Sequence, residues 1–162
     1  MMSTPFLDNI YTEIDFDRDL VFKFFTIFCM FEYALKQGKY KNKSGDAKAD
    51  WNKFARDVHK KFDPNSDPDL IKAVKYFLST PPKKQVIEDG QVVFQDCPAA
   101  KNTNTEDLSV YIRRVRNNLF HGGKFRYDRP RDTNLIQYAL TILEAWAHLD
   151  QDVYRELENA LW

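Results

Sequence analysis

Residues Glu106–Gly123 read EDLSVYIRRVRNNLFHGG, and the reading of this stretch decides the fold class. Leu108, Tyr111, Ile112, Val115 and Leu119 recur at helical spacing, so one stripe is apolar. Thr103 to Glu106 supplies a T-x-x-E start, in which side chains of the first turn cap backbone N–H groups, and Gly122-Gly123 supplies a stop. The expected helix covers about 105–121. At about 100° per residue, Asn117 and His121 lie opposite the apolar stripe, with Arg116 on its flank. The histidine sits in the last turn, and Arg113, Arg114 and Arg116 precede it within two turns.

Outward from this helix, the chain reads as helices with one interruption. Residues 1–14 read as an irregular arm. Asp15, Asp17 and Asp19 then put negative charge where the macrodipole of a helix favours it, and that helix runs to about Gln37 and stops at Gly38. Its middle is apolar nearly all round, which predicts a central core helix, with a second face free for another protomer. Lys23 and Glu32 interrupt it too soon for a membrane span. Lys39 to Asp50 reads as a polar, lysine-rich linker, and Trp51, Phe54, Ala55, Val58 and Phe62 mark the next helix. Pro68 behind Asp67 starts another, with Leu70, Ile71, Val74, Phe77 and Leu78 as its expected buried side and Pro81-Pro82 as its end.

The interruption lies at about 85–95, where Asp89-Gly90 stands between two β-branched runs and predicts a β-hairpin. It is either a flap for a substrate or partner, or a decorated connection between helices. Lys124 to Arg131 reads as a basic aromatic loop, Asp132 as the cap of a long final helix, and Val153, Leu157 and Leu161 as a last short helix or kinked continuation. The expected fold is therefore all-α, a helical bundle with a small β-hairpin insertion, in one domain over 1–162.

Composition narrows the function. Among the 162 residues, 24 basic and 24 acidic side chains cancel, so no global field draws in nucleic acid and any attraction is local. An apolar content of 43%, with 15% aromatic, gives a globular chain rather than a disordered one. Cys29 and Cys97 lack metal-ligand spacing, which predicts a reducing compartment and no zinc site. With no basic leader at the start, the expected location is the cytoplasm, with no membrane partner.

The string Arg116-Asn117-Asn118-Leu119-Phe120-His121 resembles the R-x(4–6)-H signature of the HEPN superfamily, small α-helical domains of toxins, antiphage systems and RNA-processing enzymes. Asn117 matches the polar residue that often follows the family's arginine. Arg114 also satisfies the looser spacing. The resemblance covers one helix; the remainder is helical architecture. It implies a HEPN-like bundle acting as a homodimer, with Arg116, Asn117 and His121 as catalytic residues of a metal-independent endoribonuclease. It further implies a toxin or antiphage role, for which an antitoxin or regulatory protein is a natural partner. Members paired with nucleotidyltransferase antitoxins often carry R-x4-H-x-Y; here Gly123 stands at the tyrosine position, and that regulation is not carried over.

The residues themselves support the chemistry. Between Arg113 and Arg131 stand Arg113, Arg114, Arg116, Lys124, Arg126, Arg129 and Arg131 against Asp128 alone, a local balance of 7 − 1 = +6. Such a cluster around one histidine suits phosphate, and Phe125 and Tyr127 offer stacking surfaces for bases, so RNA is the expected ligand. RNA cleavage without a metal or cofactor needs a base for the 2′-OH, an acid for the 5′-oxygen and a cation for the phosphorane. One histidine per chain supplies one of the two proton carriers. Two alternatives stay open. His121 is a helix C-cap with arginines on a solvated face, or the domain binds RNA or nucleotides without cleaving them, as a module of a larger assembly.

Overall fold

The computed structural model describes residues 5–122 and 128–161. Among them are seven helices and one two-stranded antiparallel sheet: α1 (Phe6–Glu13), α2 (Arg18–Gln37), α3 (Trp51–His59), α4 (Pro68–Ser79), β1 (Lys84–Glu88), β2 (Gln91–Gln95), α5 (Asn104–Phe120), α6 (Arg129–Ala147) and α7 (Gln151–Asn159). The all-α expectation with a hairpin holds at this level.

Local chemistry sets most boundaries. Asp17 accepts from the Leu20 N–H at 3.0 Å to open α2, and Asp67 accepts from the Asp69 and Leu70 N–H groups to open α4, with Pro68 at the first position. In the hairpin Val86 pairs Val93 and Ile87 pairs Val92. Asp89 (φ 49°) and Gly90 (φ 75°) both take positive φ, as a two-residue turn matched to strand twist requires.

The core is aromatic. Phe28 and Phe31 of α2 stack on Trp51 at 5.3 and 5.6 Å between centroids, Phe54 meets Phe31 edge-on, and Trp146 of α6 closes on Phe54 at 5.9 Å. These rings are within 2% of full burial, so each contributes about 1.5–3 kcal/mol of hydrophobic stabilisation. The inner stripe of α5 joins them, with Leu108 and Ile112 fully buried.

Four expectations need correction. Residues 6–13 form α1 rather than an irregular arm, but no residue of it is buried, which is why its pattern is weak. Ile71 and Leu78 of α4 are exposed; Ala73 takes the inward position between Leu70 and Phe77. The helix expected to start at Asp132 starts at Arg129, capped by Asp128; Asp132 lies buried in the first turn, where its Oδ2 accepts from the Asp128 N–H at 2.8 Å. The stretch 39–50 is not merely a polar linker, because Tyr40 is fully buried. Its hydroxyl donates to Asp150 Oδ2 at 2.6 Å, with Asp57 Oδ2 at 3.2 Å, and Lys39 pairs with Asp150 at 3.1 Å. Burial first, and then the two carboxylates, raise the Tyr40 pKa well above its ordinary value. Burial alone pushes the Asp150 carboxyl up, but hydrogen bonds from Tyr40, the Val153 N–H and Lys39 outweigh it and hold it below the usual range.

Candidate functional site

α5 is positioned from both ends and both flanks. At its start Thr103 Oγ1 accepts from the Glu106 N–H at 3.3 Å and donates to the Glu106 carboxylate at 3.1 Å, while Arg56 of α3 pairs with Glu106 at 3.5 Å. At its end the His121 N–H bonds the Asn117 carbonyl at 2.9 Å, and Gly122 (φ 90°) turns the chain away. On one flank Asn118 donates to the Lys83 carbonyl at 2.9 Å and Gln85 of β1 to the Gly122 carbonyl at 3.1 Å, which ties the hairpin to the helix. On the other flank Phe120 meets Phe25 of α2 at 5.1 Å.

The outer face carries the chemistry. Asn117 and His121 are exposed and Arg116 is partly exposed. Arg116 Nη1 stands 2.9 Å from His121 Nε2 and 3.0 Å from Asn117 Oδ1, and its guanidinium lies over the Phe28 ring at 5.5 Å. A guanidinium has donors only, so Nε2 is the acceptor and the ring proton is on Nδ1. Asn117 Oδ1 accepts from the guanidinium and orients it. The cluster is thus a cation held beside an unprotonated imidazole nitrogen, open to solvent, on a helix end fixed by packing.

The other expected phosphate contacts fare differently. Arg113 donates to the Ser109 carbonyl at 3.2 Å and to Asn52 Oδ1 at 3.3 Å; burial lowers its pKa, with Glu32 and Asp50 opposing. Arg114 donates to the Cys97 carbonyl and lies over the Tyr111 ring, and Arg131 donates to the Pro81 carbonyl at 3.0 Å. Arg113 thus ties α5 to α3, while Arg114 and Arg131 brace the loops at Cys97 and Pro81, so part of the charge that the sequence assigns to one patch is engaged within the fold. Lys124, Phe125, Arg126 and Tyr127 lie outside the described residues, as does the side chain of Arg129.

Sequence reasoning missed the roles of Phe28, Phe120, Asn118 and Gln85, which support the cluster without reactive chemistry. Only Phe120, adjacent to His121, carried a signal. Among the described residues no group of three or more His, Cys, Asp or Glu side chains is arranged to hold a metal ion, and no helix is long and apolar enough to cross a membrane. An open groove between α2 and α7, lined by Cys29, Met30, Tyr33, Glu156, Asn159 and Ala160, contains none of the cluster residues. Comparison with family models, with curated proteins and with solved structures returns no match.

Proposed function

We propose that the chain is a metal-independent endoribonuclease of HEPN-like type that works as a dimer, in the cellular role of a toxin or antiphage effector. The observation that carries this reading is the 2.9 Å approach of Arg116 to His121 on an exposed helix end. With Nε2 unprotonated, His121 takes the proton of a ribose 2′-OH. The 2′-oxygen then attacks the adjacent phosphorus, the P–O5′ bond breaks, and the 5′-oxygen takes a proton from His121 of a second copy, which enters the step as the imidazolium with its Nε2 released from Arg116 and leaves it neutral, while the first His121 ends as the imidazolium. Arg116 stabilises the added negative charge on the phosphorane, the place where a metal acts in other nucleases. The products are a 2′,3′-cyclic phosphate and a 5′-hydroxyl.

Purified protein incubated with RNA in EDTA is the direct test. Cleavage to a cyclic phosphate, absent for a strand lacking the scissile 2′-OH, is expected; cleavage that needs a divalent ion or that cuts DNA equally overturns it. The single imidazole in each cluster supports a second reading, an RNA- or nucleotide-binding module without turnover. That reading takes over where RNA binds to the wild type but is recovered uncut.

A further inference from the structure

Exposed apolar side chains gather along one side of α2. Phe22 is 68% exposed, Tyr33 48% and Phe25 43%, and Cys29 is exposed among them. The core does not use this side, because Phe24, Phe28, Phe31 and Leu35 supply the inward one. Along it Asp19, Phe22, Thr26, Cys29, Tyr33 and Lys36 succeed one another at steps of three, four, three, four and three residues. That is the a/d spacing of a coiled-coil seam, with an acid at one end, a base at the other and uncharged groups between.

We propose that this stripe is the contact with a second copy of the chain, packed antiparallel about a two-fold axis between Ile27 and Phe28. In that register Asp19 faces Lys36 of the second copy, Phe22 faces its Tyr33 and Thr26 faces its Cys29, and the symmetry makes each contact twice. A parallel pair instead stacks Asp19 on Asp19 and Lys36 on Lys36, so the charges select the antiparallel arrangement. The groove between α2 and α7 opens beside Cys29 and Tyr33, at the height where Phe22 of the second copy arrives.

The arrangement has a consequence for the cluster on α5. A two-fold across antiparallel helices puts the same flank of each on the same side of the dimer. The flank of α2 with Phe25 and Phe28 is where Phe120 and Arg116 pack. Both Arg116–Asn117–His121 clusters therefore open on one side of the dimer, which provides the second imidazole. This consequence rests on the nuclease reading; the contact itself does not.

Sedimentation of the full chain at micromolar concentration is expected to show a dimer. Asp19→Lys or Lys36→Asp alone sets like charges at both ends and weakens association by about tenfold, given the few-fold worth of each exposed pair. The double swap, D19K with K36D, restores it. Phe22→Glu weakens association on the order of a hundredfold or more, as expected for a charge at a hot-spot position made twice; the exposed site leaves folding, read by circular dichroism, intact. Thr26→Cys on the otherwise wild-type chain gives a covalent dimer on mild oxidation, lost when Cys29→Ser is added. A monomeric wild type, a dimer indifferent to Phe22→Glu, or absence of the cross-link overturns the proposal. The readout involves no RNA: a dimeric His121→Ala that still cuts RNA sinks the nuclease reading and leaves this one standing.

Discussion

His121 is the C-cap of α5 and His148 the C-cap of α6, and both imidazoles are exposed. Their backbones are similar, φ −96° and ψ 9° against φ −79° and ψ −10°. Their partners differ in kind. Nε2 of His121 meets the Arg116 guanidinium at 2.9 Å, whereas Nε2 of His148 meets Glu144 Oε1, one turn back, at 3.0 Å. A carboxylate has only acceptors to offer and makes an ordinary surface pair; a guanidinium has only donors and leaves an imidazole nitrogen in the basic form. The chain beyond each helix also differs. Past His121 comes Gly122 with positive φ, and past His148 comes Asp150, fixed by Tyr40 and Lys39 and capping α7. A histidine at a helix end is therefore uninformative by position. Its neighbour is what makes it a candidate catalyst.

The largest expected effect breaks this comparison directly. His121→Ala and Arg116→Ala each lower RNA cleavage by about 10²- to 10⁴-fold, the worth of general acid–base help. Neither side chain is buried, so unfolding free energy moves by at most about 1 kcal/mol, most of it for Arg116, which covers Phe28. Quantitative cleavage of one labelled RNA by the His121→Ala and His148→Ala variants side by side is the measurement. Equal rates for the two would show that the partner of the imidazole does not matter.

Tyr40→Phe comes next and acts on the fixed end alone. It removes the hydroxyl that donates to Asp150 and leaves a buried carboxylate oxygen short of a donor, a loss of about 1–3 kcal/mol in denaturant unfolding. RNA cleavage is unaffected once the variant is folded. The two shifts set the pH dependence. Asp150 has a folded pKa below its ordinary value of 3.8, so its contribution is present above that pH and is lost as pH falls through the folded value. Tyr40 has a raised folded pKa, so its contribution is intact below the ordinary value of 10.0 and declines as pH rises beyond it. Unfolding curves at alkaline pH fall less steeply for Tyr40→Phe than for wild type; identical slopes would remove Tyr40 from the account.

The same two ends show what the sequence could reveal. Arg116, Asn117 and His121 are legible as neighbours because a helix brings residues one turn apart together, and the caps Asp17, Asp67 and Thr103 and the Asp89-Gly90 turn are local chemistry. Tyr40 is not legible: it is one aromatic residue among lysines, and its partners Asp57 and Asp150 lie 17 and 110 residues away. Arg113, Arg114 and Arg131 count as free charge in a sequence, and only the folded chain reveals the carbonyls they bind. Sequence points to Asp132 for the start of α6 because two aspartates four residues apart are both credible caps, and the bond between them is visible only in the folded chain.

Gly122→Ala sharpens the comparison at the α5 end. A Cβ there meets nothing within 4 Å, so the cost is the left-handed backbone itself (φ 90°), about 1–2 kcal/mol. Part of that cost is relieved by moving the turn that holds His121, so a drop in kcat with little change in substrate affinity is expected beside the stability loss. A variant as stable as wild type would mean that the turn readily finds another conformation.

The smallest effect belongs to His148→Ala, and its smallness is informative. The pair with Glu144 spans one helical turn with side chains 58% and 78% exposed, so water screens it. Exposed pairs at this spacing are worth about 0.3–0.5 kcal/mol, and moderate salt removes most of that. The imidazole also lies 5.2 Å from the Tyr154 ring at a tilt of 38°, a contact between two exposed groups that adds little. The α6 end does not depend on either contact, because Asp150 and Tyr40 anchor the chain two residues further on. Denaturant unfolding of His148→Ala at low and high salt should therefore differ from wild type by no more than about 0.5 kcal/mol at low salt and converge with it at high salt. RNA cleavage should match wild type throughout. A loss of cleavage comparable to that of His121→Ala would mean that the carboxylate-paired histidine takes part in the chemistry, and the distinction between the two helix ends would fail.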